Sequence, residues 1–145
     1  MGAAFYGSNI LTTNYDARAK LFVAGFSGTK YITVGGGDNS GTWSAAVISK
    51  LVTDINSNLV QTYGFQGIGV DIEIGTTGLL PNFNTLLQTA KSKGLLVFVT
   101  ISGNAPYAIT DNCSLMTGLL ASPYIDFLVP QVLYSKVDHY TWMKC

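Results

Sequence analysis

The chain has 145 residues, a formal net charge of zero, 48% hydrophobic residues and only 11% charged ones. With no basic excess and one arginine, Arg18, it lacks the electrostatic footprint of a nucleic-acid binder, and its apolar content argues against disorder. No apolar run reaches the ~20 residues of a membrane span, residues 1–10 lack the basic start and apolar core of a signal peptide, and the length suits one domain.

The first predicted strand is residues 3–7, followed by a polar connection over 9–16. Residues 30–36, KYITVGG, form a β-branched strand that ends in glycines. A helix follows, with Ile48, Leu51, Val52, Ile55 and Leu59 on one face and Ser44 or Thr42 as its cap. Residues 67–74, GIGVDIEI, are the next strand. The helix after it has Pro81 in its first turn, a stripe of Phe83, Leu86, Leu87 and Ala90, and Gly94 as its stop. Residues 95–101, LLVFVTI, form a strand without alternation, as expected for one buried on both faces. A short helix over 112–120 has Leu115, Met116, Leu119 and Leu120 on one side. Residues 125–134 are the last strand, and 135–145 read as loop. Strands separated by helices at about thirty-residue spacing predict a parallel α/β sheet with right-handed crossovers.

Alternation along GIGVDIEI sets Ile68, Val70, Ile72 and Ile74 on one face and Gly67, Gly69, Asp71 and Glu73 on the other. The apolar face suits packing against helices. The carboxylates lie near the C-terminal end of the strand, where parallel α/β proteins place their ligands. Two carboxylates at i, i+2 repel, so one of them is expected to hold its proton to higher pH. Glu73 is the only glutamate in the chain. A glutamic acid with a raised pKa is what general acid catalysis needs.

Gln66–Glu73, QGIGVDIE, resembles the D-G-x-D-x-D-x-E signature of family 18 glycoside hydrolases, the chitinase family. Gly67, Asp71 and Glu73 match, while Gln66 and Gly69 stand where the first and middle aspartates are found. Thr33–Gly36, TVGG, resembles the family's S-x-G-G, and Tyr134 at the end of PQVLY resembles its M-x-Y. The resemblance runs from about residue 30 to 134. It implies that residues 1–145 are a partial catalytic domain: an incomplete (β/α)8 TIM barrel, roughly strands 2 to 6 with the intervening helices. Such a piece, with open barrel edges, is expected to be inactive by itself and to be poorly soluble or self-associate.

The resemblance also implies a chemistry, the substrate-assisted exception to the two-carboxylate scheme. Glu73 protonates the glycosidic oxygen of β-1,4-linked N-acetylglucosamine and the acetamido carbonyl attacks the anomeric carbon. Asp71 orients the acetamide, Tyr134 hydrogen-bonds its oxygen, and water opens the ring with retention. No metal or other cofactor is implied. The partner is chitin or an N-acetylglucosamine oligosaccharide. The substitutions at Gln66 and Gly69 predict a differently tuned Asp71 and slower turnover. A catalytically silent chitin-binding relative is the alternative, and an unrelated open α/β domain a third. Secretion is implied only if the full-length protein carries a signal peptide.

Trp43, Tyr107 and Trp142 follow strands on the side where barrel sites lie, and an aromatic face there suits stacking on sugar. Trp43 is the first candidate for that contact and Tyr107 the second. Gln131 is a polar candidate, although alternation sets it opposite Tyr134 on its strand. The glycine run at 35–37 lacks the Lys-Ser/Thr of a phosphate loop, and His139 lies in no nucleophile or metal motif. Cys113 and Cys145 form no framework, and nothing in the sequence indicates that they pair.

Overall fold

The computed structural model describes residues 2–5, 23–37, 41–102 and 108–131, with side chains from 23 to 100 and from 108 to 129 within these spans. Five parallel strands form one sheet: β1 (Gly2–Phe5), β2 (Lys30–Gly35), β3 (Gly67–Ile72), β4 (Leu96–Ser102) and β5 (Phe127–Gln131). Their spatial order is β1-β2-β3-β4-β5, the order of the chain. A doubly wound open sheet reverses direction at a switch point. No reversal occurs among these strands, an order consistent with part of a barrel. Among the described residues, the connections after β2 hold the helices α1 (Ala45–Asn56), α2 (Leu59–Thr62), α3 (Leu80–Ser92) and α4 (Asn112–Leu120). Among the described residues no helix is long and apolar enough to cross a membrane.

One face of the sheet carries the core. Ile32 and Val34 of β2, Ile68, Val70 and Ile72 of β3, and Val97 and Val99 of β4 are all buried. They form one cluster with Ile48, Leu51 and Ile55 of α1, Phe83, Leu86, Leu87 and Ala90 of α3, and Leu115, Met116 and Leu119 of α4. The helical stripes arise from i, i+3, i+4 spacing, which puts these side chains on one side of each helix. Leu120, expected on that side of α4, is 56% exposed instead. It follows Leu119 by one residue, about 100° round the helix.

Local chemistry sets the helix ends. Ser44 caps α1, its Oγ accepting from the Val47 amide at 3.3 Å. Pro81 sits in the first turn of α3, and Gly94 follows that helix with φ +73°. The stripe expected to run from Ile48 to Leu59 is broken at Asn58, whose φ of 60° and ψ of 27° are left-handed. Asparagine tolerates that conformation because its short polar side chain bonds locally. The chain restarts as α2, where Val60 takes the buried position and Leu59 is only half-buried.

The opposite face holds the glycines of β3. Tyr31 of β2 and Phe98 of β4 meet across them edge to face, with ring centroids 5.2 Å apart. Toward β5 this face is open: Phe127 is 45% and Val129 43% exposed. Cys113 of α4 is disulfide-bonded, a pairing that cysteine spacing alone does not indicate. Cys145, the only other cysteine of the sequence, lies outside the described residues.

Candidate active site

The site forms where β2, β3 and β4 end. In the backbone register Gly35, Asp71 and Thr100 lie side by side on the three strands. Asp71 is 2% exposed. The Thr100 hydroxyl donates to its Oδ1 at 2.7 Å. Glu73, just beyond the end of β3, is half-buried, and its carboxyl acts on that of Asp71, favouring the protonated form.

Both residues are fixed through their backbones. The Asp71 carbonyl accepts from the Trp43 indole Nε1 at 2.8 Å and from the Gly36 amide at 3.2 Å. The Trp43 amide donates to the Ile74 carbonyl at 2.8 Å, and the Thr76 amide to the Trp43 carbonyl at 3.0 Å. On the other side the Ala108 amide donates to the Glu73 carbonyl at 3.3 Å. The segment carrying Glu73 is therefore held between the chains that follow β2 and β4. Gly35 lets this assembly close. Its φ is +102°, and a Cβ there would collide with the Asp71 carbonyl and the Trp43 ring. That is the physical need for glycine in the TVGG segment.

Trp43 thus has a different place from the expected one. It is fully buried, at 0% exposure, and its ring packs edge to face on Phe83 with centroids 5.3 Å apart. It bolts the end of β3 from behind and offers no face to a sugar. Sequence alternation alone put it in a loop near the site; only its burial and its indole bond reveal this role. Thr100 escaped notice because LLVFVTI reads as an apolar run in which one hydroxyl carries no periodic signal.

The two departures from the signature also have structural explanations. Gln66 lies at the foot of β3, where its Oε1 accepts from the Lys30 amide and its Nε2 donates to the Gly64 carbonyl, both at 3.0 Å. It ties a turn to the sheet and does not reach Asp71. Gly69 lies against an aromatic ring. The ring of Phe98 occupies the space that a Cβ at this position would enter. The floor beneath Asp71 is aromatic. Tyr134 and Tyr107 lie outside the described residues, as do His139 and Trp142. Gln131 is the last residue of β5, in backbone register with Ser102.

The expected rise in pKa falls on Asp71. Burial is the largest cause, the Thr100 bond opposes it, and the charge and hydrogen bond of Glu73 add to it, lifting the carboxyl from 3.8 to about 6. The folded chain therefore holds this proton more tightly than the unfolded chain. As pH rises from about 4 to about 6 the unfolded state ionises first, so stability falls and then levels off above that range. The fall is expected to be about 3 kcal/mol. Urea unfolding of wild type and Asp71→Asn at pH 4 and pH 7 measures it, and the variant should lose most of the decline.

No family model and no curated protein matches the chain. Among solved structures it is similar to a chitinase from Chromobacterium violaceum, with a TM-score of 0.59 at 22% sequence identity. The match covers 93% of this chain and 49% of that one, so the chain spans about half the length of that chitinase. At this identity the likeness is one of fold: parallel strands alternating with helices in the same arrangement.

Proposed function

We propose that the chain forms strands two to six of a (β/α)8 barrel and carries the acid–base pair of a chitinase-like glycosidase. The observation that carries this reading is the interacting pair of carboxyls, Asp71 at the C-terminal end of a central parallel strand and Glu73 just beyond it. That end is where such folds do their chemistry.

In this reading Glu73 protonates the glycosidic oxygen of β-1,4-linked N-acetylglucosamine. The acetamido oxygen of the substrate attacks the anomeric carbon, and the C–O bond to the leaving sugar breaks. Asp71 orients the acetamide and balances the positive charge that develops on it. Tyr134 is assigned the hydrogen bond to the acetamide oxygen, and Tyr107 and Gln131 are assigned to sugar contacts. Water, deprotonated by Glu73, then opens the cyclic intermediate with retention of configuration.

The likeness to a chitinase fold supports this assignment, and the substrate's own nucleophile gives it a test. The full-length protein should cleave a fluorogenic chito-oligosaccharide and leave the cello-oligosaccharide of equal length intact, because glucose has no acetamido group. Equal cleavage of both, or of neither, contradicts the proposal. A second reading, sugar binding without turnover, is favoured by Phe98 lying where a carboxylate at position 69 would extend the pair. Binding of chito-oligosaccharide without cleavage would select it.

A further inference from the structure

The described side chains of β4 are apolar apart from one: Leu96, Val97, Phe98 and Val99 precede Thr100. Valine has the shape of threonine and suits a strand equally well. The hydroxyl is therefore explained by what it bonds, and its donated bond goes to Asp71 Oδ1 at 2.7 Å. Thr100 is also the direct register neighbour of Asp71, so the bond crosses between adjacent strands without any loop.

We propose that Thr100 is a positioning residue for the carboxyl pair: its hydroxyl fixes one Asp71 oxygen against β4 and so governs how Asp71 shares a proton with Glu73. This rests on the reading of Asp71 and Glu73 as the reacting pair. A hydroxyl that donates to a carboxylate favours its ionised form, which opposes the effect of burial. Few other groups compete. Among the described residues, the titratable side chains beside Asp71 on this side are Glu73, just beyond the end of β3, and Tyr31 on β2. The Tyr31 ring lies over Gly67, and burial and the charge of Asp126 push its phenol up, so it stays neutral. β4 presents Phe98 and Thr100 there, and β5 presents Phe127 and Val129. Lys91 and Asp126 pair with each other at 2.8 Å, where Asp126 also accepts from the amide of Val97 at the start of β4.

The test compares wild type, Thr100→Val and Thr100→Ser by carboxyl-carbon NMR titration of Asp71, together with the pH profile of chito-oligosaccharide hydrolysis. In Thr100→Val the Asp71 midpoint should move up by about one pH unit, the acidic limb of kcat should move with it, and KM should hold. Thr100→Ser should restore both. In wild type the Thr100 methyl resonance should titrate with the Asp71 midpoint, a readout that stands even if Thr100→Val does not fold. An unmoved midpoint in Thr100→Val, or a methyl silent through the Asp71 transition, overturns the proposal. If the midpoint moves but wild type cleaves no chito-oligosaccharide, the positioning role stands and the glycosidase reading falls.

Discussion

Glu73→Gln is expected to reduce chito-oligosaccharide hydrolysis by at least ~100-fold, the usual contribution of a general acid–base group. Glutamine keeps the shape and one carbonyl oxygen but cannot deliver a proton to the leaving oxygen or take one from water. No other glutamate exists in the chain to take its place. Asp71 cannot substitute either, since it is buried, bonded to Thr100 and held by its carbonyl to Trp43. The variant should fold as well as wild type or better, because it removes a like charge beside Asp71. A drop in activity with unchanged unfolding in urea places the loss in the chemistry. A hydrolysis rate within about threefold of wild type would remove Glu73 from the role of general acid.

The largest effect on stability is expected at Trp43. Truncation to alanine should cost ~3–5 kcal/mol, the range for fully buried aromatic residues. It empties the space against Phe83 and leaves the Asp71 carbonyl without its indole donor. Trp43→Phe keeps most of the packing and loses the donor, so its cost should be nearer ~1 kcal/mol. Urea unfolding distinguishes the two. A cost below ~1 kcal/mol for Trp43→Ala would mean that the indole does not bolt the end of β3. Trp43→Phe should also weaken catalysis, because the carbonyl it releases belongs to Asp71.

These two residues show what could be read in advance and what could not. Glu73 and Asp71 were legible because alternation along a strand is a strict period of two, and GIGVDIEI separates into an apolar and a polar face without exception. The parallel sheet was legible for a related reason: buried strands and amphipathic helices leave different periods in the chain. Trp43 was not legible as a bolt. Its position after a strand suits a sugar contact and a buried anchor equally, and only the folding of one loop against another decides between them. The same holds for Gly69, whose neighbour across the sheet, the ring of Phe98, is not marked in the strand that carries it. Phe98 lies 29 residues along the chain, on the neighbouring strand and in register with Gly69. Side-chain contacts across a sheet depend on register, and register does not show in a single segment. Asn58 is a smaller case of the same kind. A one-residue left-handed break moves the buried position from Leu59 to Val60, and the spacing of apolar residues does not mark it.

The aromatic floor and the distant Gln66 bear on how the pair works. Phe98 lies in the space that a side chain at position 69 would enter, and Gln66 is occupied at the foot of the sheet. Glu73 and Thr100 are its described polar side-chain partners. Asp71 is therefore tuned by one acid and one hydroxyl, with burial as the largest influence.

The most direct test is a side-by-side measurement of binding and turnover of one chito-oligosaccharide by wild type and Glu73→Gln near pH 6. Equal binding, with hydrolysis by wild type alone, is the predicted result. Equal binding with no hydrolysis by either protein would contradict the account and leave a sugar-binding domain in its place.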